Sequence, residues 1–263
     1  MRLLAAALLL LMSFGAEAAA PCADCTLPAG TYHAVAPPGW DGRSKLRLLL
    51  FLHGYMMEGG DIIGDGGIRG PAGKANYLLL APDGMLRSWV HTGSPSQVRD
   101  DVAFLRAVVA DVKSRWPIDP RNVVAAGFSQ GGSMVWELAC HAPADFTAFL
   151  PFSGGFWEPL PTACAAPVDL RHVHGREDKT VPLAGRKLLG PYRQGDIFKG
   201  FDIWAATDRC QAAPVTLAQS DGLECRTWTG CAGGHRLQLC LRSAGHTFFT
   251  SDIASGLRWA AVR

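Results

Sequence analysis

Short apolar runs alternate with amphipathic stretches along most of the chain. The run Leu46–Leu52 is apolar except for Arg47, and it ends in His53-Gly54. A continuous apolar run bounded by turn residues is typical of a strand buried on both faces of a parallel sheet. Further strands are predicted over residues 31–36, 77–81, 122–126, 146–152, 168–173 and 237–241.

Helical periodicity fills several gaps between these strands. Apolar side chains recur on one helix face from Val102 to Val112, and residues 134–139 and 252–262 predict two more helices. Residues 59–73 are interpreted as a glycine-rich connection. The alternation predicts an α/β fold, with a mostly parallel central sheet flanked by helices in a single domain.

The first 18 residues have the pattern of a secretory signal peptide. Arg2 supplies a positive charge, residues 3–14 are apolar apart from Ser13, and Ala16-Glu17-Ala18 is typical of a cleavage site. The alternative is a membrane anchor, but the apolar run is shorter than the roughly 20 residues of a spanning helix. We therefore expect a secreted protein, extracellular or periplasmic, whose domain covers residues 19–263.

The low net charge of the chain limits the classes of binding partner that are expected. The formal net charge is only +2, and no Lys/Arg cluster stands out, so neither nucleic acid nor an anionic membrane surface is expected as a partner. Charged residues make up 18% of the chain, below the quarter that is usual. This composition favours an enzyme for small molecules over a charged binding scaffold.

Eight cysteines behind a signal peptide predict disulfides formed in an oxidising compartment. Connectivity stays open from sequence alone, and the favoured pairs are Cys140–Cys164, Cys210–Cys231 and Cys225–Cys240. The last pair lies symmetrically about Ala232-Gly233, as partners across a hairpin would. Cys22 and Cys25 have the C-x-x-C spacing of redox motifs, but no strand precedes them and no helix signal follows, which favours a structural disulfide.

The segment Gly127-Phe128-Ser129-Gln130-Gly131 matches G-x-S-x-G, the nucleophile elbow. This sharp strand-to-helix turn exposes a serine hydroxyl, and its crowded backbone needs glycine at the flanking positions. A surface turn is the alternative interpretation. The buried strand before the motif and the helix after it favour the elbow, with Ser129 as nucleophile.

A serine nucleophile needs a base, and the base needs an orienting acid. His246 is the last histidine and follows the final predicted strand, where α/β-hydrolases carry the base. Glu177 and Asp178 compete for the acid after the strand at 168–173, and Asp178 is favoured. The alternatives are a surface histidine and a solvated carboxylate.

The oxyanion of the reaction needs backbone N–H donors. Gln130 is the first candidate, and the second is Tyr55 or Met56 in the loop after His53-Gly54. Met56, Trp89, Trp157 and Trp204 are candidate pocket residues, although each tryptophan is as easily explained by ordinary packing. Residues 183–222 are interpreted as a helix and a loop insertion over the site.

Two polar pairs have more ordinary explanations than catalysis. His172 and His174 share a face of one strand, but no third metal ligand stands nearby, so structural histidines are favoured over a metal site. Asp100-Asp101 lies at a predicted helix start, where capping or a hydrogen bond that holds the fold is favoured.

Several motifs in order resemble the secreted polyhydroxybutyrate depolymerase, feruloyl esterase and LpqC-like esterase family. The motifs are Leu52-His53-Gly54, Ala81-Pro82-Asp83-Gly84, Arg99-Asp100-Asp101-Val102-Ala103-Phe104, Ile118-Asp119-Pro120-Arg121-Asn122-Val123, residues 127–132, His172-Val173-His174-Gly175 with Asp178 and Val181-Pro182, and Gly245-His246. The resemblance covers residues 27–263. It implies an α/β-hydrolase fold, a triad of Ser129, Asp178 and His246, and a Cys210–Cys231 pair.

The chain departs from that family at two places. Thr247-Phe248-Phe249 stands where the family often has tryptophan-proline, and the oxyanion loop reads Gly54-Tyr55-Met56-Met57. Both departures are expected to face the substrate. They therefore leave the chemistry intact and the substrate open among hydroxyalkanoate, acetyl and feruloyl-type esters.

The function predicted from the sequence is that of a serine esterase that hydrolyses carboxylic esters through an acyl-enzyme, with no cofactor and no metal. Its substrate is a small-molecule or oligomeric ester, short or soluble because the chain shows no linker or polymer-binding domain. The alternatives are a peptidase on the same fold and a secreted binding protein without catalysis.

Overall fold

A computed structural model describes residues 20–95, 97–211, 213–218 and 221–262. The predicted signal peptide lies outside the described residues, so the signal peptide and the domain bounds stay predictions. None of the helices in the described ranges has both the length and the apolar content that crossing a membrane requires.

The described residues form twelve strands and six α-helices, with strands and helices alternating through the central part of the chain. The strands are β1 (Asp24–Leu27), β2 (Gly30–Val35), β3 (Leu46–Leu52), β4 (Tyr77–Pro82), β5 (Ile118–Phe128), β6 (Ala148–Phe152), β7 (Leu170–Gly175), β8 (Arg186–Lys187), β9 (Arg193–Gln194), β10 (Val215–Ala218), β11 (Glu224–Trp228) and β12 (Leu237–Arg242). The helices are α1 (Gly59–Gly64), α2 (Gly66–Lys74), α3 (Asp101–Arg115), α4 (Gln130–His141), α5 (Ile197–Thr207) and α6 (Thr250–Ala261).

Ten of the strands form one sheet in the order β1-β2-β4-β3-β5-β6-β7-β12-β11-β10. The six central strands from β4 to β12 are parallel, and the strands added at both edges are antiparallel. Since parallel strands end at the same edge of a sheet, the loops after β3, β5, β7 and β12 meet there. The predicted fold class is confirmed.

Apolar side chains fill both faces of the sheet, as the continuous runs predict. In β3, Leu48 and Leu50 belong to the core under α3 and α4, whereas Leu49 and Phe51 belong to the core under α1, α2 and α6. Helix α4 carries the bulkiest contribution, because Trp136 is fully buried among aromatic rings. The helix that follows Ser129 is therefore anchored in the core by a large buried side chain.

Three parts of the fold differ from the sequence prediction. The glycine-rich connection at 59–73 forms α1 and α2. The Asp61 carboxylate accepts from the Glu58 N–H at the start of α1, Asp65 caps α2, and Ile62 and Ile68 bury the apolar faces of the two helices. Short strands β1, β10 and β11 extend the sheet at its edges and were not predicted. Strand β5 is longer than predicted and includes residues 118–128.

The four favoured disulfides are confirmed: Cys22–Cys25, Cys140–Cys164, Cys210–Cys231 and Cys225–Cys240. Cys225 and Cys240 lie directly opposite each other on antiparallel β11 and β12, as their symmetric spacing predicts.

Candidate active site

Ser129 lies at the sharp turn between β5 and α4. Its backbone has φ 58° and ψ −119°, in the region that strains residues other than glycine. A Cβ on Gly127 would lie 2.5 Å from the Gly131 carbonyl oxygen, and one on Gly131 would lie 2.1 Å from the Leu52 carbonyl oxygen. The motif glycines are therefore required by close backbone contact, and they allow the turn that exposes the serine.

The structure brings Ser129, His246 and Asp178 into one hydrogen-bonded chain. The Ser129 Oγ lies 2.9 Å from His246 Nε2, and His246 Nδ1 lies 2.7 Å from Asp178 Oδ2. An ionised carboxylate only accepts, so Nδ1 carries the proton and Nε2 is free to accept from the serine. Glu177 is exposed and does not face the histidine, so of the two competing acids the structure places Asp178 at the imidazole.

Asp178 is buried and stays ionised because several donors surround it. Its Oδ1 accepts from the N–H groups of Thr180 and Val181, both at 2.8 Å. Burial alone raises the pKa of Asp178, but hydrogen bonds from His174, His246 and Val181 outweigh burial and hold that pKa well below its ordinary value. The acid is therefore a carboxylate throughout the neutral range.

His246 is oriented by apolar contacts as well as by Asp178. The Phe128 ring lies 4.8 Å from the imidazole, and Phe248 packs on Phe128, Phe51 and Phe152. The expectation that Phe248 faces the substrate is wrong, because its ring belongs to this aromatic cluster within the core. Where the family often has tryptophan-proline, this chain has Phe248, which packs on Phe128 and so supports the loop that carries His246.

Two backbone N–H groups are available as oxyanion donors. Gln130 begins α4, where the first N–H groups have no carbonyl of their own helix to bond, and no partner for the Gln130 or Tyr55 N–H is found among the described residues. The Met56 N–H instead donates to the Arg87 carbonyl at 2.8 Å. Of the two alternatives in this loop, the structure therefore leaves Tyr55 available.

Comparison with known proteins shows similarity to esterases. Residues 96–196, which include Ser129 and Asp178, match the phospholipase/carboxylesterase family. Feruloyl esterase C of Emericella nidulans is 27% identical over 232 residues, or 84% of this chain and 77% of that protein. A probable feruloyl esterase C of Aspergillus niger is 26% identical over 215 residues, or 76% and 71% of the two chains.

Among solved structures, acetyl xylan esterase from Aspergillus awamori superposes with a TM-score of 0.59 at 14% identity, over 82% of this chain and 89% of that one. The relatives that match over most of the chain are esterases, and the fold of this chain is that of the α/β-hydrolases.

The protein has a cavity of about 590 Å³ beside Ser129. Its lining includes the predicted oxyanion residues Tyr55 and Gln130 and one predicted pocket residue, Trp157. Met56 is half exposed outside this lining. Arg186, Leu188 and Gln194, from the segment 183–222 that was interpreted as a helix and a loop insertion over the site, also line the cavity.

Trp89 does not line the cavity, so its assignment to the pocket is wrong. It is fully buried, its Nε1–H donates to the His53 carbonyl at 2.9 Å, and its ring lies 4.7 Å from the His53 ring. Trp204 is likewise buried in the core beside Trp136. For both side chains the packing interpretation is the one that the structure supports.

His53 holds the loop that carries the candidate oxyanion donor Tyr55, a contact that the sequence interpretation missed. Its Nε2 accepts from the Gly84 N–H at 2.9 Å, and its Nδ1 therefore carries the proton and donates to the Gly54 carbonyl at 2.8 Å. Burial lowers the pKa of His53. The neutral ring thus connects the loops after β3 and β4, and its place in the His53-Gly54 motif was the available signal.

The side chain of Gln130 is a second positioning contact that no sequence pattern indicates. Its Nε2 donates to Ser88 Oγ at 2.9 Å and to the Trp89 carbonyl at 3.2 Å. These bonds fix the start of α4 against the segment that precedes α3.

Asp100 and Asp101 hold the fold beside the site, as favoured. Asp100 caps α3 by accepting from the Ala103 N–H, and buried Asp101 accepts from the Val90 N–H and pairs with Arg99. His172 and His174 form a buried pair with their ring nitrogens 2.8 Å apart. Among the described residues, no group of three His, Cys, Asp or Glu side chains is placed to bind a metal.

Proposed function

We propose that this protein is a secreted serine esterase that hydrolyses carboxylic esters through an acyl-enzyme. The single observation that supports the proposal is the hydrogen-bonded chain from Ser129 Oγ through His246 to Asp178. In the proposed reaction, Ser129 attacks the ester carbonyl carbon while His246 Nε2 takes its proton. Asp178 keeps the imidazole in the required tautomer and stabilises the imidazolium.

The developing oxyanion accepts hydrogen bonds from the N–H groups of Gln130 and Tyr55. His246 then protonates the leaving alcohol, and a water molecule repeats the attack on the acyl-enzyme. Support for the donors comes from their unoccupied N–H groups and from the bonds of His53 and Gln130 that hold both loops. No step of this reaction requires a metal or an organic cofactor.

The proposed substrates are short or soluble esters. The relatives are named for feruloyl and acetyl xylan ester hydrolysis, and the cavity beside Ser129 has room for a small acyl or alcohol group. Secretion is supported by the four disulfides and by the signal-like first 18 residues.

The proposal is tested with a fluorophosphonate probe and two substrate panels on the purified mature protein. We expect labelling of the wild type, loss of labelling in Ser129→Ala, and retention in Ser114→Ala, which removes an exposed serine on α3. We also expect p-nitrophenyl esters to be hydrolysed much faster than peptide anilides. Absence of labelling in folded protein would favour a binding role, and preference for anilides would favour a peptidase.

A further inference from the structure

Arg186 is the one charged side chain among the described residues that line the cavity beside Ser129. The other lining residues are neutral, and several are apolar, including Trp157 and Leu188. The structure shows no carboxylate in hydrogen-bond contact with the Arg186 guanidinium in the described part of the chain; its partners are an amide and a carbonyl. A cation without an anionic partner, in a largely apolar cavity, favours an anionic ligand.

The guanidinium is held in a defined orientation. Its Nε donates to Gln194 Oε1 at 3.0 Å, and its Nη1 donates to the Lys179 carbonyl at 3.3 Å. Gln194 is itself buried and lies on β9, which bridges to Trp157. These bonds use two of the five N–H donors, so one donor on Nη1 and two on Nη2 remain for a ligand. A carboxylate fits such an end-on pair of donors.

We propose that the preferred substrate is an ester that bears a free carboxylate, bound by Arg186 while the ester carbonyl lies at Ser129. This proposal rests on the proposed function, since it names the substrate class of that same site. Among the candidate esters, Arg186 would therefore favour those whose acid part or alcohol part carries a negative charge. A neutral ester of the same length leaves the guanidinium unpaired in the complex.

The test compares matched anionic and neutral esters. One series uses mono-4-nitrophenyl glutarate and adipate against their terminal methyl esters, which places the carboxylate on the acyl side. The other uses acetyl esters of ω-hydroxy acids against the methyl esters of those acids, which places it on the alcohol side. In at least one series we expect kcat/KM to be roughly tenfold higher for the anionic ester. The gain comes from a charge-assisted hydrogen bond to Arg186, and it is limited to about this size because solvent partly screens the charges.

Variants assign that preference to Arg186. Arg186→Gln should reduce the ratio of anionic to neutral kcat/KM to about one, and Arg186→Lys should keep part of it. Lys187→Gln removes the neighbouring exposed cation and should leave the ratio at the wild-type value. The ratio corrects for any loss of folded enzyme, and in the wild type it should fall as the NaCl concentration rises.

Two results would overturn the substrate proposal while leaving the esterase intact. One is efficient hydrolysis of the neutral esters with no anionic preference in either series, and the other is a preference that survives Arg186→Gln. Failure to hydrolyse any ester, with no fluorophosphonate labelling, would instead overturn the proposed function.

A second and independent observation is the buried chain of donors behind Asp178. Trp136 Nε1–H donates to His172 Nδ1 at 3.3 Å, and His172 Nε2 lies 2.8 Å from His174 Nδ1. His174 Nε2 lies 2.8 Å from the Val181 carbonyl and 3.3 Å from Asp178 Oδ2. All three side chains are fully buried.

The donor and acceptor roles along this series of hydrogen bonds follow from the Trp136 end. Indole nitrogen is a donor only, so His172 Nδ1 accepts and its Nε2 carries the proton. By the same reasoning His174 Nδ1 accepts, and its Nε2–H donates to the Val181 carbonyl, with Asp178 Oδ2 3.3 Å from the same nitrogen. Both rings are therefore neutral, and every N–H bond is oriented towards the carboxylate.

We infer that His174 is a positioning residue for Asp178, held in its working tautomer by His172 and Trp136. Its N–H donates to the Val181 carbonyl, and the Val181 N–H donates to Asp178 Oδ1, so His174 restrains the loop that orients the carboxylate towards His246. The sequence interpretation of the pair as structural histidines is thereby extended to a role at the acid.

The test uses two variants that differ in the donor. Glutamine at position 174 can place its amide N–H where Nε2–H lies, whereas methionine has a similar length and no donor. We expect His174→Met to lower both kcat and the rate of fluorophosphonate labelling by roughly 10- to 100-fold, at an unchanged KM. His174→Gln should restore most of both rates, with the folded fraction verified by circular dichroism.

Equal rates in the glutamine and methionine variants would overturn the positioning role. A loss confined to KM, or to the folded fraction, would overturn it as well, because a residue that only supports the fold does not change the reactivity of folded molecules. The labelling rate requires no knowledge of the natural substrate, so this outcome is separate from the fate of the Arg186 proposal.

Discussion

At the scale of single residues, the site depends on which atom of each polar side chain already has a partner. Asp178 Oδ1 is occupied by two backbone donors, which leaves Oδ2 for His246. The side chains of His53 and Gln130 bond neighbouring loops, and the N–H groups of Tyr55 and Gln130 have no partner among the described residues. The proposed catalytic groups are thus the atoms whose hydrogen-bonding capacity is not already used by the rest of the fold.

Asp178→Asn tests this reasoning on the acid. The amide oxygen of asparagine should take the place of Oδ1 towards the Thr180 and Val181 N–H groups, which turns its NH₂ towards His246 Nδ1. That nitrogen must then accept, so the proton moves to Nε2 and the base can no longer receive the serine proton. We expect kcat to fall by about 10³- to 10⁴-fold.

Steady-state kinetics on a p-nitrophenyl ester measures the effect of Asp178→Asn. Glu177→Gln, at the exposed neighbouring carboxyl, is the matched control and should change kcat by less than about threefold. A similar loss in both variants would contradict the assignment of the acid.

Gly131 tests the close packing at the elbow. An added Cβ would lie 2.1 Å from the Leu52 carbonyl oxygen and 2.5 Å from that of His53, so Gly131→Ala must push α4 away from β3. We expect a loss of roughly 1–3 kcal/mol in unfolding free energy, together with a fall in kcat, because the Gln130 N–H moves with the helix. Urea unfolding and ester hydrolysis measure the two effects.

Gly60→Ala is the matched control for Gly131→Ala. Its Cβ would meet nothing within 4 Å on the short helix α1, so the unfolding free energy should stay unchanged or rise slightly. Equal destabilisation by the two substitutions would show that backbone contact is not what requires glycine at the elbow.

At the scale of elements, the parallel strands bring the site together because their carboxyl ends share one edge of the sheet. Ser129 follows β5, Asp178 follows β7 and His246 follows β12, and these strands are close neighbours in the sheet. The antiparallel hairpin of β11 and β12 then anchors the strand that leads to His246. A buried disulfide joins the two strands of that hairpin.

Removal of the disulfide between Cys225 and Cys240 should destabilise the whole domain. The two cysteines are 15 residues apart in sequence, and closing a loop of that length contributes about 3 kcal/mol by restricting the unfolded chain. For a domain of this size we expect the melting temperature of the Cys225→Ala, Cys240→Ala double variant to fall by roughly 6–12 °C. Differential scanning fluorimetry gives the value.

The terminal disulfide supplies the comparison. Cys22 and Cys25 are only three residues apart, so their double alanine variant should lose far less stability. If this variant melted as early as the other one, loop closure would not explain the contribution of the hairpin disulfide.

At the scale of the whole molecule, one buried acid makes the stability depend on pH. Asp208 ends α5 and is fully buried, and its Oδ2 has no hydrogen-bond partner among the described residues. Burial raises its pKa from 3.8 to about 7, the Val168 N–H opposes this change, and the negative charge of Asp169 adds to it. The folded state therefore keeps a proton that the unfolded state has lost.

The direction of the pH dependence follows from linkage. Between pH 4 and pH 7 the folded state binds more protons than the unfolded state at this position, so its contribution to stability falls as the pH rises through that window. Below pH 4 the contribution is fully present. We expect Asp208→Asn to raise the melting temperature at pH 8 and to change it little near pH 4.5.

Melting curves of wild type and Asp208→Asn at the two pH values check this prediction. Asp202→Asn on the exposed side of the same helix is the control, and its melting temperature should differ from the wild type by the same small amount at both pH values. A gain for Asp208→Asn that is equal at pH 4.5 and pH 8 would contradict the assigned protonation.

Local sequence was enough to predict the elements that have a strong period or a special turn. Strand β3 and the elbow at Ser129 were predicted where they lie, since a doubly buried strand and a crowded turn each demand particular residue types. Helices α1 and α2 were not predicted, because glycine has a low intrinsic helix propensity. The N-cap hydrogen bonds at Glu58 and Asp65 and the apolar packing of both helices override that propensity in the folded protein.

The sequence by itself determined the α/β class and the position of the elbow at Ser129, and it favoured Asp178, His246 and the cysteine pairs without settling them. It did so because apolar periodicity and the elbow motif are local properties of the chain. The tertiary structure alone decided that Trp89 and Phe248 support the site from the core, that Tyr55 rather than Met56 offers its N–H, and that Arg186 and His174 lie at the cavity and the acid. Those outcomes depend on contacts between segments far apart in sequence, which no local pattern records.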